Sequence, residues 1–376
     1  MIASCLRALK THVLLLGVIL LAGLAATWAL ARIVDGREGT DHDRLEVARM
    51  THKMKTICIG RFLLEMPRET RVALGQASID GIDISVVEET AIDFQQRLAE
   101  RETRIIGKPD RHGGNGHLES VSQVLTGEGV AGKIFVHSRK VLESSAANGH
   151  ELERGRYQPV VLEALTHGGA ISIDFYAERY DPGKTQNLAT LVNQLVPNSE
   201  NRFPAEPGYC IDRAYFRDPL APDQLESVTM LARLPSHPDV QFRLALAAGR
   251  KSAKQGLIER TAASTSRMRL RERLHFRAVR AAPREVGGLL GEEVVQSVTE
   301  ENGARIQRFW WEVDGAEDDV AIPHLVFQMT TGHSKNGPVP SSLSFAAGLE
   351  LWEAVSSSIR LRSTDDSNSS RNKRRL

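Results

Sequence analysis

The chain has 376 residues, 41% of them hydrophobic and 25% charged, with a formal net charge of +1. That is ordinary globular composition with length for two domains. The first 31 residues hold two cations and no acid, and the last twelve hold a net two more, so residues 32–364 carry about −3; a nucleic-acid partner is excluded, because such a body should be clearly basic.

Residues 13–31, VLLLGVILLAGLAATWALA, carry no charge and are long enough to span a bilayer as a transmembrane helix. Arg7 and Lys10 precede them, and the flank after them mixes signs. The positive-inside rule then leaves 1–12 as a cytoplasmic stub and places the body across the membrane. Two readings fit: an uncleaved signal anchor, or a signal peptide cleaved after Ala29-Leu30-Ala31. Residues 32–52 read as a linker.

Next in the chain stands CIGRFLLEMP (58–67), and its pattern returns as CIDRAYFRDP (210–219). Both read Cys-Ile-x-Arg, five residues, Pro. Asp83–Val86 resembles Asp239–Phe242 in the same way, and Gly129–Val136 resembles Gly288–Val295. The order is kept and the offset drifts slowly, so an internal duplication is predicted. It consists of two similar mixed α+β lobes, 53–203 and 204–362, meeting near PNSENRFPAEPG (197–208). With Cys5 on the other side of the membrane or removed, the body holds two cysteines. Cys58 and Cys210 are then either a disulfide or two buried thiols.

IDISVV (82–87) reads as a strand. Thr90 is placed to cap a helix running to about Glu102, with Asp93 as half of a capping box. GAISIDFYAE (169–178) alternates as a strand with Ile171, Ile173 and Phe175 on one face. A helix follows with Leu188, Leu191, Val192 and Leu195 on one stripe, stopped at Pro197. In the second lobe Met268, Leu270, Leu274, Phe276 and Ala278 alternate with arginines, which predicts a half-buried strand. ARIQRFWWEV (304–313) and HLVFQMT (324–330) are further strands. The last helix carries Phe345, Leu349, Trp352, Val355 and Ile359 behind a Ser344 N-cap. Helices that do not alternate strictly with strands indicate α+β rather than a doubly wound sheet. The tail 363–376 reads as disordered.

Chemistry is scarce. HGGNGH (112–117) has no accompanying zinc pattern, DPGKTQN (181–187) lacks the first glycine of a P-loop, and GHSKNG (332–337) lacks the last glycine of a nucleophile elbow. Glu88-Glu89 and Glu292-Glu293 lie in alternating segments, so each pair faces opposite ways. No catalytic, metal or cofactor site is expected. The arginine face of 267–277 can grip phosphates or nucleic acid, but reads first as a solvated sheet face paired with acidic neighbours. EVDGAEDD (312–319) reads as a hairpin loop that can also dock a basic partner. Two lobes without an active-site signature suggest a binding protein with a cleft or clamp.

MKTICIGRFLLEMP, GYCIDRAYF, LPSHPDVQFRL, GGLLGEEVV and GPVPSSLSFAAGLELWEAVSSSIRLR together resemble the Tli4 family, immunity proteins for type VI secretion lipase effectors. The resemblance runs from about Met54 to Arg362. It implies a periplasmic protein that binds and inhibits a cognate phospholipase effector; the expected attachment to the inner membrane through residues 13–31 comes from the apolar run and not from the resemblance. Relatives look like lipoproteins or soluble proteins, and this chain has no lipidation cysteine after its apolar run. An envelope adaptor that binds an effector without inhibiting it is the alternative, and an unseen hydrolase the third. Expected partner contacts are the Glu317-Asp318-Asp319 edge and the strand-to-helix loops around Tyr180 and His333, at equivalent places in the two lobes.

Overall fold

The computed structural model describes residues 43–108, 118–148, 151–202, 204, 206–218, 224–249, 255–317 and 319–362. The apolar segment 13–31, HGGNGH, Asp318 and the tail lie outside the described residues. Among the described residues no helix is long and apolar enough to cross a membrane.

Residues 43–52 are helical (α1), where the sequence predicts a linker. Val47 is buried in the main core, and Arg44 meets Glu350 at 3.4 Å. This segment therefore belongs to the body.

The first half then runs β1 (Met54–Ile59), β2 (Phe62–Pro67), β3 (Arg71–Ile79), β4 (Ile82–Glu88), α2 (Ala91–Ile106), β5 (Leu118–Leu125), β6 (Ala131–His137), β7 (Leu142–Asn148), β8 (Glu151–Tyr157), β9 (Val160–Gly168), β10 (Ile171–Tyr180), α3 (Gln186–Gln194) and β11 (Leu195–Pro197). The second half runs β12 (Gly208–Ile211), β13 (Ala214–Arg217), β14 (Glu226–Arg233), β15 (Gln241–Ala247), α4 (Leu257–Arg267), α5 (Leu270–Arg273), β16 (Phe276–Val286), β17 (Leu289–Thr299), β18 (Arg305–Val313), β19 (His324–Thr331), β20 (His333–Ser334), β21 (Gly337–Pro338), α6 (Phe345–Ser356) and β22 (Arg360–Leu361).

Twelve strands form one antiparallel sheet in the order β16-β17-β18-β19-β15-β14-β3-β4-β10-β9-β6-β5. Read outward from the central β14–β3 pair, the two halves repeat the same topology, strand for strand. That pair is antiparallel, from Arg233↔Arg71 to Glu226↔Ile79. The halves are therefore related by an approximate two-fold axis through it. The β7–β8 hairpin is an insertion of the first half; α5 and β20–β21 belong to the second.

The duplication is thus visible in three dimensions, but the halves are not separate lobes around a hinge. They share the sheet, and one core cluster draws on both. Their ends are also exchanged. β22, which ends the second half, pairs with β2 of the first, and β11, which ends the first half, pairs with β13 of the second. An open cleft around a linker does not exist here, because backbone pairing crosses the boundary at several places.

The repeated Cys-Ile-x-Arg motif sits where the halves meet. Cys58 and Cys210 are joined by a disulfide with Cα atoms 5.8 Å apart. Gly60 and Cys210 exchange two backbone hydrogen bonds of 2.8 Å. Ile59 and Ile211 are buried. Arg61 donates across the boundary to Glu226 at 2.7 Å, and Arg213 donates across it to Glu88. Each copy of the motif supplies one sulfur, one core side chain and one ion pair to the other half. Burial outweighs Arg61 at Glu226 and pushes its carboxyl above the usual range.

The third repeat is geometric as well. A Cβ on Gly132 would lie 2.0 Å from the Leu165 carbonyl oxygen, and one on Gly291 would lie 2.4 Å from the Glu312 oxygen. Both glycines let a strand approach its neighbour at the same step of each half. Gly132→Ala should destabilise the protein by about 3 kcal/mol, since the obstacle is backbone and cannot rotate away. Equilibrium urea unfolding measures this; a loss near zero would mean that β6 and β9 adjust freely.

One sheet face is covered by α1, α3, α6 and the two small sheets. Trp352 of α6 anchors this side, stacked on Phe327 at 5.0 Å and Phe309 at 5.7 Å, with its indole N–H donating to the buried Glu293 at 2.7 Å. Ser344 caps α6 and Thr90 caps α2, as the sequence predicts; α2 runs to Ile106, past Glu102. Residues 267–277 differ from the predicted strand: α4 ends at Arg267, α5 follows, and β16 begins only at Phe276. Alternation misleads here because Leu270 and Leu274 are also four apart, a helical spacing, and Glu272 accepts from the Arg269 N–H to cap that turn.

Candidate partner interface

The other sheet face carries two helices with open sheet between them. α2 lies over β6 and β9, and α4 lies over β17 and, through Arg260 and Glu312, over β18. Between them run β10, β4, β3, β14, β15 and β19, six strands spanning about 24 Å.

Half-buried ion pairs fasten the walls. From α2, Arg97 bonds Glu89 and Asp174 at 2.6 Å each, and Arg101 bonds Glu163 at 2.8 Å. From α4, Arg260 bonds Glu312 at 2.7 Å, and Glu312 also meets His324 at 3.2 Å. Glu292 accepts from the Ile258 N–H at 2.8 Å and so caps the first turn of α4. Glu292 and Glu293 do face opposite sides of the sheet.

Burial disfavours the charge on Glu163, but His137, 3.5 Å away, and the Arg101 guanidinium bonded to it outweigh that and hold the carboxyl below its usual range. At Glu312 burial is likewise outweighed, by His324 and Arg260. Asp174 moves the other way, because burial dominates over Arg97. A depressed carboxyl contributes stability that is present above its unfolded pKa, about 4.5, and is lost as pH falls through the lower folded value. Asp174 opposes part of this on α2. The walls should therefore loosen below about pH 4.5, with α4 the cleaner case. Hydrogen exchange of α4 amides between pH 6 and pH 3 measures it. Glu312→Gln should flatten that dependence; an unchanged profile would assign the acid response elsewhere.

The floor is mostly small and polar. Ser78 and Ser227 share a hydrogen bond of 2.8 Å across the central pair. Tyr176, Val87 and Leu231 are exposed, Leu231 by 55%. At one end of the floor Arg71 and Arg233 stand directly opposite each other on β3 and β14. Arg243 is diagonal to Arg233 on β15. All three are exposed, and no described residue pairs with them. Like charges directly opposite are unfavourable in a sheet, so the fold gains nothing from this pair. An acidic surface laid on the floor would relieve it.

The sequence-predicted contacts fall elsewhere. Tyr180 is 8% exposed and part of the main core, so it is not a surface contact. His333 opens the small β20–β21 hairpin, its N–H bonded to the Asp239 carbonyl. The two loops follow equivalent strands, but β10 and β19 run in opposite directions in the shared sheet. Their loops therefore leave from opposite ends, and a single small contact cannot take both. Glu317 is exposed, and Asp319 accepts from the Ala321 N–H at 2.8 Å. Glu312, at the start of that acidic run, is buried in its ion pairs. Among the described residues no three His, Cys, Asp or Glu side chains gather as a metal site. Sequence reasoning missed the floor; the alternation in ESVTMLAR and QFRLALA marks its outward residues, but only the topology brings them between two helices.

Models of the two domains of one family match both halves: the Tle cognate immunity protein 4 N-terminal domain over residues 55–155 and the C-terminal domain over residues 202–364. Together they cover more than half of the chain. The chain belongs to the Tle cognate immunity protein 4 family, Tli4. This is a family of immunity proteins and not of enzymes. Its fold is also that of solved structures. The immunity protein TplEi of the T6SS from Pseudomonas aeruginosa, complexed with "L" peptide, is 22% identical over 82% of this chain and 98% of that one, with a TM-score of 0.63. The apo TplEi structure is 22% identical over 82% of this chain and 97% of that one, TM-score 0.64. The Tle4-Tli4 complex contributes a chain 22% identical over 83% of this one and 98% of its own length, TM-score 0.65. No protein of curated function matches the sequence. The coverage means that this Tli4 chain keeps the whole body of those folds, both halves included.

Proposed function

We propose that this Tli4 protein is a periplasmic immunity protein that binds a cognate type VI lipase effector and inhibits it. Membership of the Tle cognate immunity family over both halves carries the reading. The uncharged run 13–31 behind Arg7 and Lys10 supports export and attachment to the inner membrane. The open floor between α2 and α4 is the surface we assign to the effector. It is wide, framed by fastened helices, and carries uncompensated arginines beside exposed Leu231 at one end, with Tyr176 exposed toward the other.

Inhibition would follow from rigidity. A lipase must move a lid to admit lipid. A partner whose halves share one sheet and one disulfide loses little freedom on binding. Such a plate can hold the lid shut or cover the substrate entrance without deforming.

The test is to titrate the protein into a lipase encoded beside it, recording binding and lipid hydrolysis together. Tight binding with loss of hydrolysis is the expected result. Binding with hydrolysis intact would make the chain an adaptor. Reversing Glu317, Asp318 and Asp319 tests the alternative placement; loss of binding there, with the floor variants unaffected, would move the contact to the β18–β19 loop.

A further inference from the structure

The corner between α4 and β16 lies off the floor, held to the end of β17 by the Thr299 N–H on the His275 carbonyl at 2.9 Å. Its sequence, RMRLRERLHFR (267–277), holds five arginines and one acid. Leu270 is 73% exposed and Leu274 is 80% exposed. They stand four residues apart through α5 and its cap, so they project on one side. Arg267, Arg269, Arg271 and Arg277 are exposed, and no acidic side chain among the described residues pairs with them. Arg273 is exposed and donates to the Ser266 and Met268 carbonyls. The acids of this corner are already engaged or outnumbered: Glu272 accepts from the Arg269 N–H, Glu300 lies 3.7 Å from Arg308, and Glu301 is exposed beside them. Further along β16 the pattern is different, since Arg280 and Arg284 are tied to Glu293 and Glu353.

A single exposed leucine needs no explanation, but a pair ringed by unpaired guanidinium groups does. We infer that this elbow docks on an anionic phospholipid surface, Leu270 and Leu274 entering the acyl boundary and the arginines meeting headgroup phosphates. Leucine tips with long basic side chains that reach upward are what an interfacial segment requires. An acidic protein groove is the less favoured occupant, because both leucines protrude and would need an apolar phase to enter.

Placement supports the choice. Phe276 opens β16 at the sheet end where Val298, Ile306, Thr330, Gln241, Arg233 and Arg71 lie in successive strands. α1 reaches the same end, Glu46 meeting His237 of the β14–β15 loop at 3.1 Å. The chain thus enters the body at the end that carries the elbow. Twelve residue steps separate Ala31 from Asp43, a reach of at most about 40 Å. A bilayer holding residues 13–31 would lie within range of the elbow.

The test uses the full chain with Cys5→Ser and Leu274→Cys, labelled at residue 274 with an environment-sensitive fluorophore. It is mixed with vesicles of phosphatidylcholine, or with vesicles enriched in phosphatidylglycerol. A blue shift with increased emission is expected on the anionic vesicles, weakened by salt. The same probe in a chain carrying Arg267→Glu, Arg269→Glu and Arg271→Glu should lose that shift even if the chain still binds vesicles through residues 13–31. No shift on anionic vesicles, an equal shift on neutral ones, or a shift that survives charge reversal would overturn the inference. So would a shift that appears only on adding the lipase, which would make the elbow a protein contact. The readings on vesicles alone do not depend on effector binding.

Discussion

Replacing Cys58 and Cys210 together by alanine is expected to lower the stability of the folded protein by about 5 kcal/mol. The bond closes a sequence separation of 152 residues, and the entropy it removes from the unfolded chain grows with the logarithm of that length. The fold has other ties at the same place: the β3–β14 pair, the exchanged strands β11 and β22, and a common core. These hold the native geometry without the bond, so the double variant should still fold, with the same fluorescence and a lower denaturation midpoint. Guanidinium unfolding of the wild type with reductant should then coincide with the variant without it. A difference below about 1 kcal/mol would mean that the unfolded halves stay associated by themselves.

Arg233→Glu should separate binding from stability. In the free protein it turns an unfavourable Arg233–Arg71 cross-strand pair into a favourable one. Stability should hold or rise by about 0.5 kcal/mol. If the floor receives an acidic surface of the lipase, affinity should fall by about 2 kcal/mol, roughly 30-fold. Tyr176→Ala should weaken binding to a similar extent through lost contact area, without altering the salt dependence. Calorimetric titration of the lipase, with thermal unfolding of each free variant, records both quantities. A variant that binds the lipase as tightly as the parent, at Arg233 and at Tyr176 alike, would remove the floor as the contact surface.

Several elements were legible because their cause is local. The stripe Leu188, Leu191 and Val192 makes one buried face of α3. Leu325, Phe327 and Met329 are all buried on β19, in the phase that alternation predicts. Ser344 and Thr90 cap their helices because the side-chain oxygen is in reach of a free N–H three residues on. Residues 267–277 failed for the same local reason: alternating arginine and apolar residues fit a strand, and leucines four apart fit a turn of helix. Tyr180 failed differently. A tyrosine at a strand end is amphipathic, and whether it faces solvent depends on what the sheet packs against.

The sequence by itself determined the duplication, the mixed α+β class and the family, because a repeated Cys-Ile-x-Arg and its companions survive as residue identities at near-constant offset. Only the tertiary structure decided how the copies combine. Antiparallel pairing of β3 with β14 fuses them into one sheet and sends equivalent loops to opposite ends. That pairing is made by backbone groups that every residue carries, so no side-chain pattern announces it. The same pairing sets Arg71 against Arg233 and leaves a floor between α2 and α4, a surface whose members are scattered through the chain and meet only when the sheet is complete.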